Sequence, residues 1–209
     1  MASVGPRLIR WRPSVNIATP RGVMGPGGGQ VSAPAPPGPV TERVPEHTVV
    51  VPFVRGMLHP TTKWVMDLYE GTVEYLELPK TDDTAYARWF VSMWGRMQTF
   101  IVVEQDMMPP PGSLRSLVTC EEPWCVHAYN VAGAEYVGAL GLAKFSQTIM
   151  SACPLLATLL LYRSSNPPRW VHWRSVADYL GRGLQQCGYT PHIHHPAAIH
   201  LHDYTDGGR

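Results

Sequence analysis

The sequence predicts an α/β fold in which a mostly parallel sheet is flanked by helices and preceded by a flexible arm rich in proline and glycine. Three observations carry this. From His47 onward, short apolar runs alternate with longer segments of helical periodicity, the pattern of a sheet covered on both faces. Successive strand–helix units imply parallel pairing through right-handed crossovers. Residues 1–46 instead hold GPGGG at 25–29 and APAPPGPV at 33–40, which favour loop or polyproline conformation over a packed core. The division that follows is an arm over 1–46 and a single domain over 47–209. Within the arm, LIRWRPSVNI at 8–17 has enough apolar side chains to dock on the domain or on a partner.

Each element has its own local reason. TVVVPFV at 48–54 reads as a first strand, and HPTTKWVMDLYE at 59–70 as a helix with Thr61 or Thr62 near its cap. TVEYLEL at 72–78 alternates with period two and is a second strand. DDTAYARWFVSMWGR at 82–96 puts Tyr86, Trp89, Phe90, Met93 and Trp94 on one helical stripe, with Asp82 or Asp83 as cap and Gly95 as stop. QTFIVV at 98–103 is apolar enough for a central strand. PGSLRSLVTC at 111–120 is a short helix with proline near its start. WCVHAYNV at 124–131 is a further strand, followed by a strand or turn near Tyr136–Leu140. LAKFSQTIMSAC at 142–153 reads as a helix ended by Pro154, and WRSVADYLGRGLQQCG at 173–188 as the last helix, ended by Gly188.

Composition narrows the function classes. The chain has 209 residues, a formal net charge of +1 and 16% charged residues, so it lacks the basic field that nucleic-acid backbone binding demands. No apolar run is long enough for a membrane span; the nearest, SACPLLATLLLY at 151–162, is closed by Arg163. Arg10, Trp11, Arg12 and Pro13 break any signal-peptide pattern, and 4 unevenly spread cysteines do not form a disulfide framework. These features point to a soluble protein of a reducing cytoplasm.

Three groups can carry chemistry. Glu104-Gln105-Asp106 follows the third strand, and ligands of open parallel sheets collect outside the carboxyl ends of strands. Carboxylates there can aim at a divalent cation and leave positions for water and a diphosphate; a solvated turn is the alternative reading. PHIHHPAAIHLHDY at 191–204 holds five of the nine histidines, with His192 and His194 on one face of an extended segment and His200 and His202 on a face of theirs. Such imidazoles can complete a metal site begun by Asp106, make a zinc site of their own, or serve as core or surface histidines. Glu121 and Glu122, beside Trp124 in CEEPWC, have the placement of a general base, or of plain surface charges. Cys120 and Cys125 in that C-x4-C read as buried structural thiols, since zinc pairs are usually closer to C-x2-C and no second pair exists. No G-x-x-x-x-G-K-S/T, G-x-G-x-x-G or G-x-S-x-G occurs, which argues against P-loop, Rossmann dehydrogenase and serine-hydrolase chemistry.

TVVVPFV, TDDTAY, FIVVEQD and a histidine near the end of the domain stand in the order seen in GT-A-fold glycosyltransferases. VVVEQDMMPPPGSL, CEEPWCVHAY, LGLAKF and the closing H-x-H-x5-H-x-H resemble short glycosyltransferase-like proteins of bacteriophages and actinobacteria. The resemblance covers about 47–204. It implies a GT-A-like domain that uses Mn2+ or Mg2+ to transfer a sugar from a nucleoside diphosphate sugar, such as a UDP-sugar, to an acceptor that is protein, glycan or nucleic acid. A phage-encoded copy acts in the host cytoplasm. The D-x-D-type motif falls on Glu104-Gln105-Asp106, with Asp106 as direct metal ligand and Glu104 facing the sugar or ribose. Pro52, Phe53 and Arg55 border the nucleotide, Asp83 contacts base or ribose, and the late histidine ligand falls on His200, with His202 or His194 as alternates. Glu in the first position departs from D-x-D and leaves open whether one carboxylate or two meet the metal. The base is unplaced: Glu121 or Glu122 suits an inverting enzyme, whereas a retaining one needs neither. Two other readings compete: a noncatalytic assembly module on the same fold, docking through the arm, and a zinc hydrolase built on the terminal histidines.

Overall fold

The structure, a computed structural model, describes residues 47–69, 71–82, 84–131, 134–165 and 176–201. The arm at 1–46, Asp83 and His202 therefore lie outside the described residues. The elements run β1 (Thr48–Val54), α1 (Pro60–Asp67), β2 (Val73–Leu78), α2 (Ala85–Gly95), β3 (Phe100–Val103), β4 (Met107–Met108) and α3 (Ser113–Thr119). There follow β5 (Trp124–Val131), β6 (Ala134–Tyr136), β7 (Leu142–Phe145), α4 (Gln147–Ala152), α5 (Pro154–Ser165), α6 (Val176–Gln186) and β8 (His192–His200).

Among the described residues the sheet has the order β2-β1-β3-β7-β5-β8-β4, with β6 paired to β5. Its β2-β1-β3 half is parallel, as the strand–helix succession predicts. The other half is mixed: β7 runs antiparallel to both β3 and β5, β8 is parallel to β5, and β4 is antiparallel to β8.

Alternation sorts the strands onto two cores. Val50, Phe100, Val102, Val126, Ala143 and Phe145 face the side covered by α2, α4, α5 and α6. Val49, Val51, Ile101, Val103, Cys125 and Leu142 face Met66 of α1 and Leu114 and Leu117 of α3. The first core centres on aromatic rings, with Phe90 edge-on to Phe100 at 5.8 Å and to Phe145 at 5.4 Å.

Three local expectations are corrected. LAKF is not helical; it is the fully buried strand β7 between β3 and β5. Leu142, Phe145 and Ile149 imitate helical spacing, but the helix begins only where the Ser146 side chain accepts from the Ile149 amide. Pro154 does not end that segment but opens α5, where a missing N–H costs nothing. Helix α1 is capped by His59, whose Nδ1 accepts from the Thr61 amide at 3.2 Å, so Thr61 lies beside the cap as expected and the cap itself is a histidine. At α2 the cap residue is Thr84, and Asp82 acts two residues earlier by accepting from the Thr84 amide at 3.0 Å. No described helix is long and apolar enough to cross a membrane.

Candidate functional site

Glu104, Gln105 and Asp106 form the turn between β3 and β4, and the turn is held at both ends. The Glu104 amide donates to Gly141 O at 2.8 Å, and the Met107 amide to Glu104 O at 3.1 Å. Gly141 has φ +95°, a left-handed conformation that favours glycine, and it thereby turns its carbonyl to the rim. Burial alternates through the turn: Gln105 and Met107 are buried, whereas Glu104 and Asp106 are half-buried. The two carboxylates therefore share one side, and the amide between them goes the other way.

The far end of β8 closes this site. Met107 and His200 are register partners in the antiparallel β4–β8 ladder, and the Leu201 amide donates to Asp106 O at 2.8 Å. His200 Nε2 then lies 3.3 Å from Asp106 Oδ2, with side-chain exposures of 10% and 16%. The pairing of Asp106 with His200, expected from the resemblance, is thus a contact in the fold. Tyr129 lies beside His200 with ring centroids 6.2 Å apart and stacks on Tyr136 at 6.3 Å, giving the site an aromatic flank.

Glu104 adds a second carboxyl group. Burial pushes its pKa up to about 7, with the Asp106 charge raising it further and a 3.3 Å hydrogen bond from the Tyr86 hydroxyl lowering it. The Tyr86 hydroxyl itself is held well above its ordinary value, first by burial and then by Glu104. Tyr86 was legible in the sequence only as a core residue. A tyrosine on a stripe of Trp, Phe and Met carries a polar end that needs a partner, and that was the available signal.

The remaining predicted residues divide. Phe53 near the end of β1 and Arg55 in the turn just after it lie on the same carboxyl edge, where Arg55 Nε donates to Glu77 of β2 at 2.5 Å and the guanidinium stays largely exposed. Pro52 is buried inside β1, opposite Leu76. It is a packing residue, which corrects its expected place at the nucleotide. Gln105 is corrected as well. Its Oε1 accepts from the Val54 amide at 2.8 Å and its carbonyl from the His59 amide at 2.8 Å, so it braces the β1–α1 loop instead of facing a ligand.

Glu121 and Glu122 are exposed in the loop entering β5. Trp124 pairs with Phe145, and Phe145 with Phe100, so this loop lies at the start of β3. The four residues of β3, roughly 13 Å of strand, separate that level from Glu104. Neither glutamate can act as the base at Asp106. The terminal histidines split in the same way: His192 and His194 begin β8 beside Cys125 and His127, whereas His200 ends it. His194 is thereby removed as an alternate ligand at Asp106.

No protein-family model matches the chain, and no curated protein matches it in sequence. Among solved structures, the chain is similar to the crystal structure of a glycosyltransferase involved in the glycosylation of the major capsid of PBCV-1, with a TM-score of 0.47 and 12% identity. The similarity covers 74% of this chain and 92% of that one.

Proposed function

We propose that the chain is a divalent-cation-dependent glycosyltransferase that uses a nucleoside diphosphate sugar as donor. The observation that supports this most is the convergence of Asp106 and His200, 3.3 Å apart, with Glu104 on the same side, at the carboxyl end of β3. The family resemblance of FIVVEQD and the closing histidines supports the same reading.

The donor set suits Mn2+ or Mg2+: one carboxylate and one imidazole within reach of each other, and a second carboxyl group that burial, and then the Asp106 charge, disfavours as an anion. Asp106 and His200 would hold the ion. When bound, the cation neutralises the negative charge that develops on a departing diphosphate. Glu104, steadied by the Tyr86 hydroxyl, is available to accept hydrogen bonds from sugar or ribose hydroxyls. Phe53 and Arg55 on the neighbouring edge border the nucleotide, and the Tyr129–Tyr136 pair offers an apolar face to a sugar ring. With Glu121 and Glu122 at the other end of the strands, any removal of the acceptor hydroxyl's proton falls to a group other than these two.

Thermal shift and calorimetry with UDP and other nucleoside diphosphates, with and without Mn2+, test this reading. A nucleoside diphosphate should raise the melting temperature only when Mn2+ is present, and Asp106→Asn should abolish the effect. Binding indifferent to both the cation and Asp106→Asn, or no nucleoside diphosphate binding at all, sinks it.

A further inference from the structure

The start of β8 carries a second constellation, unrelated to the Asp106 site. Helix α3 ends at Cys120, which adopts an extended conformation and turns back over the sheet. Cys125 is the second residue of β5, and the parallel β5–β8 ladder sets Cys125 opposite His192 and His127 opposite His194. Period-two alternation then places Cys125, His127, His192 and His194 on one face, the face on which α3 lies.

We infer that Cys120, Cys125, His192 and His194 form a closed zinc site that fastens the start of β8 to β5 and to the end of α3. One ligand atom from each of the four lies within 4.8 Å of all the others. Cys120 Sγ is 3.1 Å from His192 Nδ1 and 2.8 Å from Cys125 Sγ. Tetrahedral zinc with sulfur near 2.3 Å and nitrogen near 2.0 Å sets its ligands roughly 3.3–3.8 Å apart, so the sulfurs need to open by about 1 Å to receive it. The same 2.8 Å is well beyond a disulfide bond of about 2.05 Å.

The surroundings fit a metal better than a pair of idle thiols. Nε2 of His194 is buried and has no hydrogen-bond partner, an orphaned polar atom of the kind that folded chains avoid. The neighbouring His127, by contrast, is fully engaged: Nδ1 lies 3.1 Å from Pro196 O, and Nε2 lies 2.9 Å from Ser116 Oγ. His127 stacks on His194 at 5.3 Å and so sets the plane of that ring without competing for the ion. Buried Lys144 donates to the Cys120 carbonyl and places a positive charge near the two sulfurs. Binding releases the two thiol protons to solvent and leaves Zn2+ with two thiolates and two neutral imidazoles, a set with no net charge. His192 is exposed, which gives the ion a way in. Four protein ligands leave no open position for substrate or water, so this centre is structural and is not a hydrolase site.

The test uses the full chain purified without chelator or added metal. Elemental analysis should find about one zinc per chain, X-ray absorption should show two sulfur and two nitrogen neighbours, and chelation should lower the melting temperature. His192→Ala, at an exposed position that the fold tolerates, and Cys125→Ser should each lose the zinc. Asp106→Asn and His200→Ala should keep it, so failure of the glycosyltransferase reading leaves this one intact. A folded protein without zinc that cannot be reconstituted with Zn2+, a Cys120–Cys125 disulfide in the mass spectrum, or undiminished zinc in His192→Ala each overturns the inference.

Discussion

Met107 and His200 are partners in a two-residue ladder, and that pairing is what carries the Nε2 of His200 to within 3.3 Å of Asp106. The contact joins the turn after β3 to the last residue of β8. Without β8 in register, the turn would present two carboxylates with no imidazole beside them.

The first prediction concerns this contact without any cation. Both side chains are mostly buried, so Asp106→Ala should cost about 1–3 kcal/mol of stability in cation-free buffer, with His200→Ala similar. The double variant should lose less than the two single losses together, because the shared interaction is removed once. Urea denaturation of the four proteins measures this. Strict additivity would show that the 3.3 Å approach carries no energy.

The parallel half of the fold was legible because its strands are short, either apolar runs or, in β2, a period-two alternation, and are separated by helices with clear stripes. The E-Q-D turn was legible for a related reason, since polar residues that follow a buried run must lie at a sheet edge. β7 was not legible. LAKF is four residues long, and its apolar positions continue into α4 at helical spacing, so only the Ser146 cap marks the change. The histidine cluster misled in another way. Its local pattern gave the alternation of His192 and His194 correctly, but β8 spans nine residues, and a histidine at either end belongs to a different site. Roughly 20 Å of extended chain between His194 and His200 is invisible to a reading that sees one dense motif. Cys120 and Cys125 were set aside on their spacing and the lack of a second cysteine pair, because the register that brings two imidazoles beside them is long-range.

A second prediction follows from the start of α2. Asp82 accepts from the Thr84 amide at 3.0 Å and from the Thr84 hydroxyl at 2.7 Å, and pairs with Arg88. Arg88 chiefly, and then Thr84, hold the Asp82 pKa down to about 2. A lowered folded-state pKa stabilises above the unfolded carboxylate value of about 3.9, and that contribution fades as the pH falls toward the folded value. Asp82→Asn should therefore melt below the wild type by a constant margin above about pH 5, with the margin closing between about pH 4 and 2. Asp82 is half-buried and its Arg88 partner is exposed, so the margin should also shrink in high salt. A melting difference that is flat across this pH range would remove the carboxylate from the account.

A third prediction probes the aromatic core. Phe90 is fully buried and touches Trp89 at 6.1 Å, Trp94 at 5.5 Å, Phe100 at 5.8 Å and Phe145 at 5.4 Å between centroids. Phe90→Ala leaves a cavity among rings that cannot all collapse inward, and should cost about 3–5 kcal/mol. Phe90→Leu, which keeps most of the volume, should cost markedly less. Equal losses in urea denaturation would mean that ring volume is not what this position supplies.

The last prediction concerns Gln105, which stands between the two carboxylates of the rim and points away from them. Its Oε1 satisfies the Val54 amide at the end of β1, and its carbonyl satisfies the His59 amide that enters α1. Gln105→Ala removes the first bond and keeps the second, leaving a part-buried N–H without its acceptor at a cost of about 1–3 kcal/mol. Hydrogen exchange at the Val54 amide should accelerate, while exchange at the Phe90 amide inside α2 should change only as far as global stability does. Gln105→Glu keeps the acceptor oxygen but brings a third carboxylate next to Glu104 and Asp106, so it should protect Val54 while repelling its neighbours. If Val54 exchanges at the wild-type rate in Gln105→Ala, the brace is dispensable, and the β1–α1 loop owes its position to the packing of α1 alone.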